Sequence, residues 1–273
     1  MRYAACRSSS RPVRRCDADR LSKGHNVSTA ETTVWITGAT SGIGAALAQT
    51  VPYPGARVIN IARRPHPTLE SVRADLSDPA DWDVVADHLA AELADFGGRR
   101  AIFIHNAFVQ DPVGLIGEVD PVAYRRHVLA NAAAPLILGE AFLRNAPADV
   151  EVGLVMISSA AARVPFAGRA GYGAGKAAME QWVRTVRAEL AQRPENRWVV
   201  AIRPGAVDTP ALRADAAVDV SVNPLAPSIR QALAAGEVDS PELAARRIWD
   251  QLPPGPDTPA VVLLGEMIAP PGR

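Results

Sequence analysis

Cysteine is nearly absent from the sequence. The chain of 273 residues has two cysteines, Cys6 and Cys16, and both lie close to its start. The rest of the chain offers no thiol for a disulfide or a metal, which excludes a disulfide scaffold and a thiolate metal site there. This usage is typical of a reducing compartment and predicts a cytoplasmic protein.

Net charge, aromatic residues and long apolar runs are also scarce. The formal net charge is +0 and aromatic residues make up 5% of the chain, so no global field attracts nucleic acid and few rings can stack on bases. The apolar stretch from Ala132 to Leu143 is interrupted by Pro135 and Glu140, and it is shorter than the ~20 residues of a spanning helix. The composition predicts neither a nucleic-acid partner nor a membrane partner.

The first thirty residues are basic and lack apolar periodicity. Seven arginines and lysines face only Asp17 and Asp19 in this stretch, which predicts a disordered N-terminal extension over residues 1–30. A translation start at Val27 is an alternative. A transit peptide is another, although the two aspartates and the missing amphipathic stripe count against it.

From Thr33 onward, short β-branched runs alternate with alanine- and leucine-rich segments of helical period, as in successive βαβ units. Several runs are apolar on both alternating faces, which is typical of parallel strands covered on both sides. Asp78, Asp120 and Ser240 each precede a proline and predict helix starts. No linker divides the region, so one domain is expected over residues 31–273. The predicted strands are TVWIT, ARVINIA, SVRAD, RAIFIHN, EVGLVMIS, RWVVAIRP and PAVVLLG.

The segment TGATSGIG, residues 37–44, follows the first predicted strand and opens a helix. Glycines at such a junction let a pyrophosphate approach the backbone N–H groups of a helix N-terminus. An ordinary turn also favours Gly38, but three glycines in this spacing after a first strand favour dinucleotide binding. The candidate cofactor-binding residues in this segment are Gly38, Thr40, Ser41, Gly42, Ile43 and Gly44.

The end of the second strand bears on cofactor choice. Ala62 stands where an acidic residue would bind the adenosine ribose of NAD(H), and Arg63 and Arg64 follow it. Arginines at this place favour the 2′-phosphate of NADP(H), the alternative being a solvated pair of charges. Asp75 and Leu76 close the third strand, where the carboxylate is a candidate for the adenine amino group or for a turn.

Tyr172 and Lys176, in the segment YGAGK, are four residues apart and therefore share one face of a helix. A nearby ammonium favours phenolate and lowers the pKa of a phenol from its usual ~10. Tyr172 is thus a candidate general acid and base for a carbonyl or alcohol oxygen.

Taken in order, these motifs resemble the short-chain dehydrogenase/reductase family in its ordinary, non-extended branch. HNAF at 105–108, Asn131, Ser159 and RPGAVDTP at 203–210 belong to the same resemblance. It implies an α/β, single-domain Rossmann fold with a doubly wound, seven-stranded parallel sheet and helices on both faces. The spacing from HNAF to LANAAAP and the helix start SPELA are similar to sepiapterin and benzil reductases.

The resemblance implies a catalytic set of Asn131, Ser159, Tyr172 and Lys176. The family's serine precedes its tyrosine by thirteen residues, which selects Ser159, and strand alternation gives Ser158 a structural role. Lys176 is expected to hold the nicotinamide ribose beside Tyr172, and Asn131 to hold a water next to the lysine. The resemblance adds six cofactor-binding residues: Asn106, Ala107, Pro204, Gly205, Val207 and Thr209.

Two further features concern the substrate side. Phe108 stands where the family has a glycine, so a large ring is expected near the cofactor or substrate, whereas His105 is predicted to be a core histidine rather than a second acid. Residues 211–239 have the length and composition of a mobile substrate cover, an irregular loop being the alternative.

The implied activity is hydride transfer between NADP(H), rather than NAD(H), and a small-molecule carbonyl or alcohol. The implied assembly is a homodimer or homotetramer. Dehydration, epimerisation or enoyl reduction on the same scaffold are alternatives, and so is a non-enzymatic NADP-binding sensor, against which the intact catalytic set counts.

Overall fold

The computed structural model describes residues 30–193 and 195–268. The N-terminal extension predicted for residues 1–30 lies outside the described residues except for Ala30, and so do the last five residues of the predicted domain. Within the described parts, no helix is both long and apolar enough to cross a membrane. Nor do these parts gather three or more His, Cys, Asp or Glu side chains into a group that could hold a metal ion.

Seven parallel strands form one sheet in the order β3-β2-β1-β4-β5-β6-β7, which confirms the predicted fold class. The chain moves outward from β1 in one direction and then, from β4, in the other, so the crevice for a ligand lies at the carboxyl ends of β1 and β4. The strands are β1 (Thr32–Thr37), β2 (Arg57–Ala62), β3 (Glu70–Arg73), β4 (Arg100–His105), β5 (Glu151–Ile157), β6 (Arg197–Arg203) and β7 (Val261–Leu263).

Helix starts follow the predicted caps. The side chains of Asp78, Asp120 and Ser240 accept backbone N–H groups at the first turns of the second, third and eighth helices, which satisfies donors that a helix leaves unpaired. The helices are α1 (Gly42–Gln49), α2 (Pro79–Ala94), α3 (Pro121–Val128), α4 (Ala134–Asn145), α5 (Ala170–Leu190), α6 (Pro210–Ala217), α7 (Ala226–Ala235) and α8 (Pro241–Trp249).

The sheet buries apolar side chains on both faces. Trp35 and Phe103 point to one face and pack with residues of α2, α4 and α5. Ile36 and Val155 point to the other face and pack with residues of α1 and α8. These alternating positions are fully buried, which explains why the strands read as continuous apolar runs and fixes the strand ends that build the site.

One π-helical turn, Leu129–Ala133, joins α3 to α4. Its widened backbone carries the buried Asn131, and such turns are frequent at functional sites. Residues predicted to form a substrate cover fold into two helices, α6 and α7, rather than an irregular loop. The mobility of this cover stays a prediction.

Candidate functional site

Two adjoining cavities open at the carboxyl edge of the sheet. A groove of about 260 Å³ runs along the ends of β1, β2 and β3, and a larger cavity of about 700 Å³ lies over the ends of β5 and β6 under the cover. Both are lined by Ile43, Asn106, Phe108, Thr209 and Ala211. The groove therefore continues directly into the cavity.

The glycine turn brings backbone to the floor of the groove. A Cβ atom on Gly44 would lie 2.1 Å from the Gly38 carbonyl oxygen, so only glycine allows this packing of helix against turn. Ser41 precedes α1 and makes no side-chain cap hydrogen bond, which leaves the positive end of the helix facing the groove. All the predicted residues of this turn except Gly44 line the groove: Gly38, Thr40, Ser41, Gly42 and Ile43.

Asn106 joins the ends of β1 and β4. Its backbone N–H and that of Ala107 donate to the Thr37 hydroxyl at 2.9 Å and 3.0 Å. Its side-chain amide donates to the carbonyl oxygens of Thr37 and Gly38. Asn106 and Ala107, which the family resemblance assigns to cofactor binding, thus line the groove, and their hydrogen bonds hold the glycine turn in place.

Asn60, in the middle of β2, is a positioning residue that sequence reasoning missed. This fully buried side chain accepts the Ala39 N–H at 3.1 Å and donates to the Arg64 carbonyl at 3.3 Å. It therefore ties the glycine turn to the loop that carries the arginines. Arg63 and Arg64 are exposed and line the groove. The signal in the sequence was a polar residue inside an otherwise apolar strand, which burial makes costly unless it is bonded.

Asp75 is placed at the groove, but its carboxylate already has protein partners. Its Oδ1 accepts the Ser77 N–H at 3.0 Å and the Ser77 hydroxyl at 2.7 Å, and its Oδ2 faces Arg126 at 3.2 Å. Burial acts to raise the pKa of Asp75, but the bonds from Ser77 and the charges of Arg63 and Arg126 outweigh it and lower the pKa. The turn role is thus realised, and Leu76 lines the groove beside it.

Tyr172 and Lys176 lie on the first turns of α5 and both line the larger cavity. The Lys176 ammonium is buried, donates to the Ile157 carbonyl at 2.6 Å and lies 5.6 Å from the centre of the Tyr172 ring. Burial lowers the pKa of Lys176 to about 8, and the carboxylate of Glu180 acts in the opposite direction. Lys176 therefore loses its proton at a lower pH than an exposed lysine does.

The pKa of the Tyr172 phenol is shifted in the direction opposite to the one predicted from the sequence. Its pKa is raised, because burial outweighs a hydrogen bond with Ser159 and the charge of Arg169, which both lower it. The four-residue spacing of Tyr172 and Lys176 predicts instead that the ammonium lowers this pKa. Among the described groups, Ser159 and Arg169 do so instead, and they do not overcome the desolvation.

The adjacent serines have different surroundings. Ser158 is buried at the end of β5 and donates to Glu180 Oε1 at 2.7 Å. Ser159 is half-buried, and its hydroxyl accepts the Ala161 N–H at 3.3 Å beside Tyr172. Ser158 thus has a structural partner, as expected, while Ser159 is the serine that acts to lower the pKa of the Tyr172 phenol.

Asn131 is not brought to the lining of either cavity. Its side-chain amide accepts the Val109 N–H at 2.8 Å and donates to the Val109 carbonyl at 2.7 Å. Its own carbonyl lies against α5, since a Cβ atom on Gly175 would be 2.6 Å from it. The side chain therefore fixes the loop after β4, and only the backbone faces the helix that carries Lys176.

The turn after β6 lies between the groove and the cover. Pro204, Gly205 and Val207 line the larger cavity, and Thr209 lines both cavities. The Thr209 hydroxyl accepts the Leu212 N–H at 3.2 Å and so caps α6, the first helix of the cover. The predicted residues of this turn thus lie together between groove and cover.

His105 ends β4, and Phe108 lies three residues after it in the chain. The Phe108 ring lines both cavities, with its centre 5.4 Å from that of Tyr172. His105 is buried, and burial together with the charge of Lys176 lowers its pKa to about 3. Its Nδ1 has no hydrogen-bond partner within residues 30–193 and 195–268, so His105 is a neutral core residue, although an incompletely satisfied one.

Three buried or half-buried charges near the site were not predicted from the sequence. Glu180, one turn after Lys176, accepts two hydrogen bonds from Arg203, at 2.6 Å and 2.7 Å. Arg169, three residues before Tyr172, is buried in the wall of the larger cavity. The sequence signal for Glu180 was its position one turn after Lys176 on the same helix, whereas Arg203 comes from the end of β6 and has no such signal.

The chain is similar to known oxidoreductases over most of the described length. A family model described as short chain dehydrogenase matches residues 32–218. A short chain dehydrogenase/reductase of Aspergillus aculeatus is 33% identical over 205 residues, or 71% of this chain and 70% of that protein. A benzil reductase ((S)-benzoin forming) of Bacillus cereus is 26% identical over 188 residues, covering 64% and 76% of the two chains.

Solved structures have the same fold. A short chain dehydrogenase from Burkholderia cenocepacia J2315, crystallised in complex with NADP, has a TM-score of 0.65 and 24% sequence identity. The match covers 87% of this chain and 89% of that chain. At this identity the likeness concerns the fold alone.

Proposed function

The chain belongs to the short-chain dehydrogenase/reductase family and is an oxidoreductase acting on hydroxyl or carbonyl groups, and we propose that it is an NADP(H)-dependent carbonyl reductase with Tyr172 as its general acid and base. The observation that carries this proposal is a continuous site. A groove lined by the glycine turn and two arginines leads into a cavity lined by Ser159, Tyr172 and Lys176.

The residues of the groove fit a dinucleotide phosphate. Gly38 and Gly44 leave no room for a side chain between turn and helix, so backbone N–H groups of the turn would hold the pyrophosphate. Arg63 and Arg64 would hold the 2′-phosphate, with Ala62 in place of the carboxylate that an NAD(H) site needs. Asp75 and Leu76 would border the adenine, Asn106 and Ala107 the middle of the cofactor, and Pro204, Gly205, Val207 and Thr209 its nicotinamide end.

Side chains of the protein would orient the substrate oxygen and protonate it. The nicotinamide, when bound, supplies the hydride. Tyr172 donates its phenolic proton to the carbonyl oxygen, and the Ser159 hydroxyl orients that oxygen. Because burial raises the pKa of Tyr172, the phenol is protonated at neutral pH, which suits carbonyl reduction. Lys176, whose ammonium lies 5.6 Å from the centre of the Tyr172 ring, would hold the nicotinamide ribose beside the phenol.

Asn131 holds the loop after β4 without lining either cavity. Its side chain binds both backbone groups of Val109, so it positions the loop that carries Phe108. The backbone carbonyl of Asn131, which lies against Gly175 on the helix of Lys176, would then be the group that holds the water predicted from the family resemblance. In this proposal Asn131 is a positioning residue through its side chain.

A second copy of the chain is the proposed partner. Three apolar side chains of α3 and α4 are exposed: Val122 (64%), Val128 (38%) and Ile137 (48%). Burying them between two copies would favour association. Light scattering of the purified protein is expected to give a dimer or tetramer mass, and a monomer at micromolar concentration would contradict this part. The cytoplasmic setting stays a prediction.

The reductase proposal is tested by following NADPH and NADH oxidation at 340 nm with ketones, diketones and quinones. Turnover with NADPH preferred over NADH is expected. Tight NADPH binding without turnover would favour the sensor alternative. A preference for NADH would contradict the role of Arg63 and Arg64, while water loss or epimerisation without net oxidation would favour another reaction on the scaffold.

A further inference from the structure

Asp215 projects from the cover into the wall of the substrate cavity. It lies on α6, and its carboxylate pairs with the guanidinium of Arg169. It also accepts a hydrogen bond of 2.6 Å from the side-chain amide of Gln110. Arg169 immediately precedes the helix of Tyr172, and Gln110 follows Phe108 closely in the chain. One acid of the cover therefore binds to both walls of the reaction site.

Arg169 is a buried residue whose guanidinium pairs with Asp215. The residue is 8% exposed, and besides the ion pair with Asp215 it donates a hydrogen bond to the Gln110 carbonyl at 3.2 Å. A buried guanidinium without a counterion is strongly unfavourable, so Asp215 neutralises a charge that would otherwise attract anions. Because Arg169 also lowers the pKa of Tyr172, the neutralised charge lies electrostatically close to the reacting oxygen.

The other cations that line the cavity also have partners. Lys176 donates to the Ile157 carbonyl, and Arg203 is bound twice by Glu180. Glu266, the other acid of the lining, is exposed. Much of the remaining lining is apolar, including Val164, Phe166, Leu212, Leu225, Ile229 and Met267.

Resting on the proposed function, we propose that Asp215 sets the substrate class: the cavity accepts uncharged, largely apolar carbonyl compounds and rejects carboxylates. A carboxylate substrate would have to displace Asp215 from Arg169 and Gln110. The displaced acid would then lie beside a second anion under the cover, which is the repulsive element that specificity requires. An uncharged ketone leaves the pair intact.

The same contacts join the cover to the reaction site. Gln110 donates to the Ala211 carbonyl at 3.1 Å as well as to Asp215, and Ala211 follows the Thr209 turn directly. Breaking the Arg169 pair to admit an anion would therefore loosen the cover over Tyr172. Selection against carboxylates thus acts on substrate binding and on closure together.

The test uses two substrates with the same reacting ketone: methyl benzoylformate, which is uncharged, and benzoylformate, which is a carboxylate. The wild-type protein with NADPH is expected to favour the ester by at least ~10-fold in kcat/KM, which corresponds to ~1.4 kcal/mol. Asp215→Asn keeps a hydrogen-bonding side chain for Gln110 and frees Arg169, so it is expected to shift the ratio toward the acid by ~10-fold or more. Asp219→Asn, an exposed acid of the same cover, is the control and is expected to leave the ratio unchanged.

A binding measurement separates this proposal from the reductase proposal. Calorimetry of the wild-type protein in saturating NADPH compares phenylacetamide with phenylacetate, which need no turnover. Tighter binding of the amide, reversed in Asp215→Asn, supports the proposal even if no ketone is reduced. Equal or tighter binding of the carboxylate by the wild type, or an unchanged ester-to-acid ratio in a folded Asp215→Asn, would overturn it.

Discussion

The Ser158 hydroxyl donates a hydrogen bond of 2.7 Å to the buried carboxylate of Glu180. Glu180 lies one helical turn after Lys176 and also accepts two hydrogen bonds from Arg203. The contact therefore joins the end of β5, whose Ile157 carbonyl accepts the Lys176 ammonium, to the helix that carries the lysine. Of the two adjacent serines, this leaves Ser159 beside Tyr172.

The titration of Lys176 is expected to appear in the kinetics. Its pKa of about 8 means that the ammonium is lost as pH rises through that value, so kcat/KM for ketone reduction is expected to fall above pH 8. Glu180 raises the pKa of Lys176, and its neutralisation in Glu180→Gln lowers that pKa. In this variant, kcat/KM is then expected to start falling at a lower pH than in the wild type. Initial rates measured from pH 6 to 10 check this shift.

Glu189→Gln is the matched control for this shift, because Glu189 lies on the same helix and is exposed. Its pH profile is expected to match the wild type. If a folded Glu180→Gln variant kept the wild-type limb, Lys176 would not be the group that titrates.

Cofactor choice is expected to depend on Arg63. Removing one charge-assisted hydrogen bond costs ~1.5–3 kcal/mol, so Arg63→Ala is expected to raise the KM for NADPH by ~10- to 100-fold. The KM for NADH, which lacks the 2′-phosphate, is expected to change little. Arg73→Ala, at an exposed position in β3 outside the groove lining, should change neither value. Equal losses for both cofactors would contradict the assignment.

Phe108 is expected to affect the chemistry through Tyr172. Its ring is tilted at 50° to the phenol ring, and such pairs contribute ~0.5–1.5 kcal/mol. Phe108→Ala is therefore expected to lower kcat/KM for methyl benzoylformate by ~2- to 10-fold. Ile116→Ala, at a 66% exposed position in the same segment, provides the comparison, and equal effects of the two substitutions would show that the ring contact is unimportant.

The sheet and the position of the crevice could be predicted from local patterns. The central strands β1, β4 and β5 are largely apolar runs because both of their faces are covered, and Asp78, Asp120 and Ser240 cap helices where a polar residue precedes a proline. The last strand is shorter than predicted: Pro259, Ala260 and the residues after Leu263 lie outside it, since an edge strand has a single neighbour.

The partners of the site residues were less predictable, because they depend on contacts between distant segments. Asn131 binds Val109, 22 residues away in sequence, with its whole side-chain amide, and Asp215 reaches Gln110 across 105 residues. The pKa of Tyr172 is raised rather than lowered because burial outweighs the effects of Ser159 and Arg169. The spacing of tyrosine and lysine does not reveal this burial.

The central claim is that Tyr172 transfers the proton in an NADPH-dependent carbonyl reduction. The most direct measurement compares the wild type with Tyr172→Phe, following NADPH oxidation at 340 nm with methyl benzoylformate and NADPH binding by fluorescence. The variant is expected to lose at least ~100-fold in kcat while it folds and binds NADPH as the wild type does. Retention of most of the wild-type turnover by Tyr172→Phe would contradict the account.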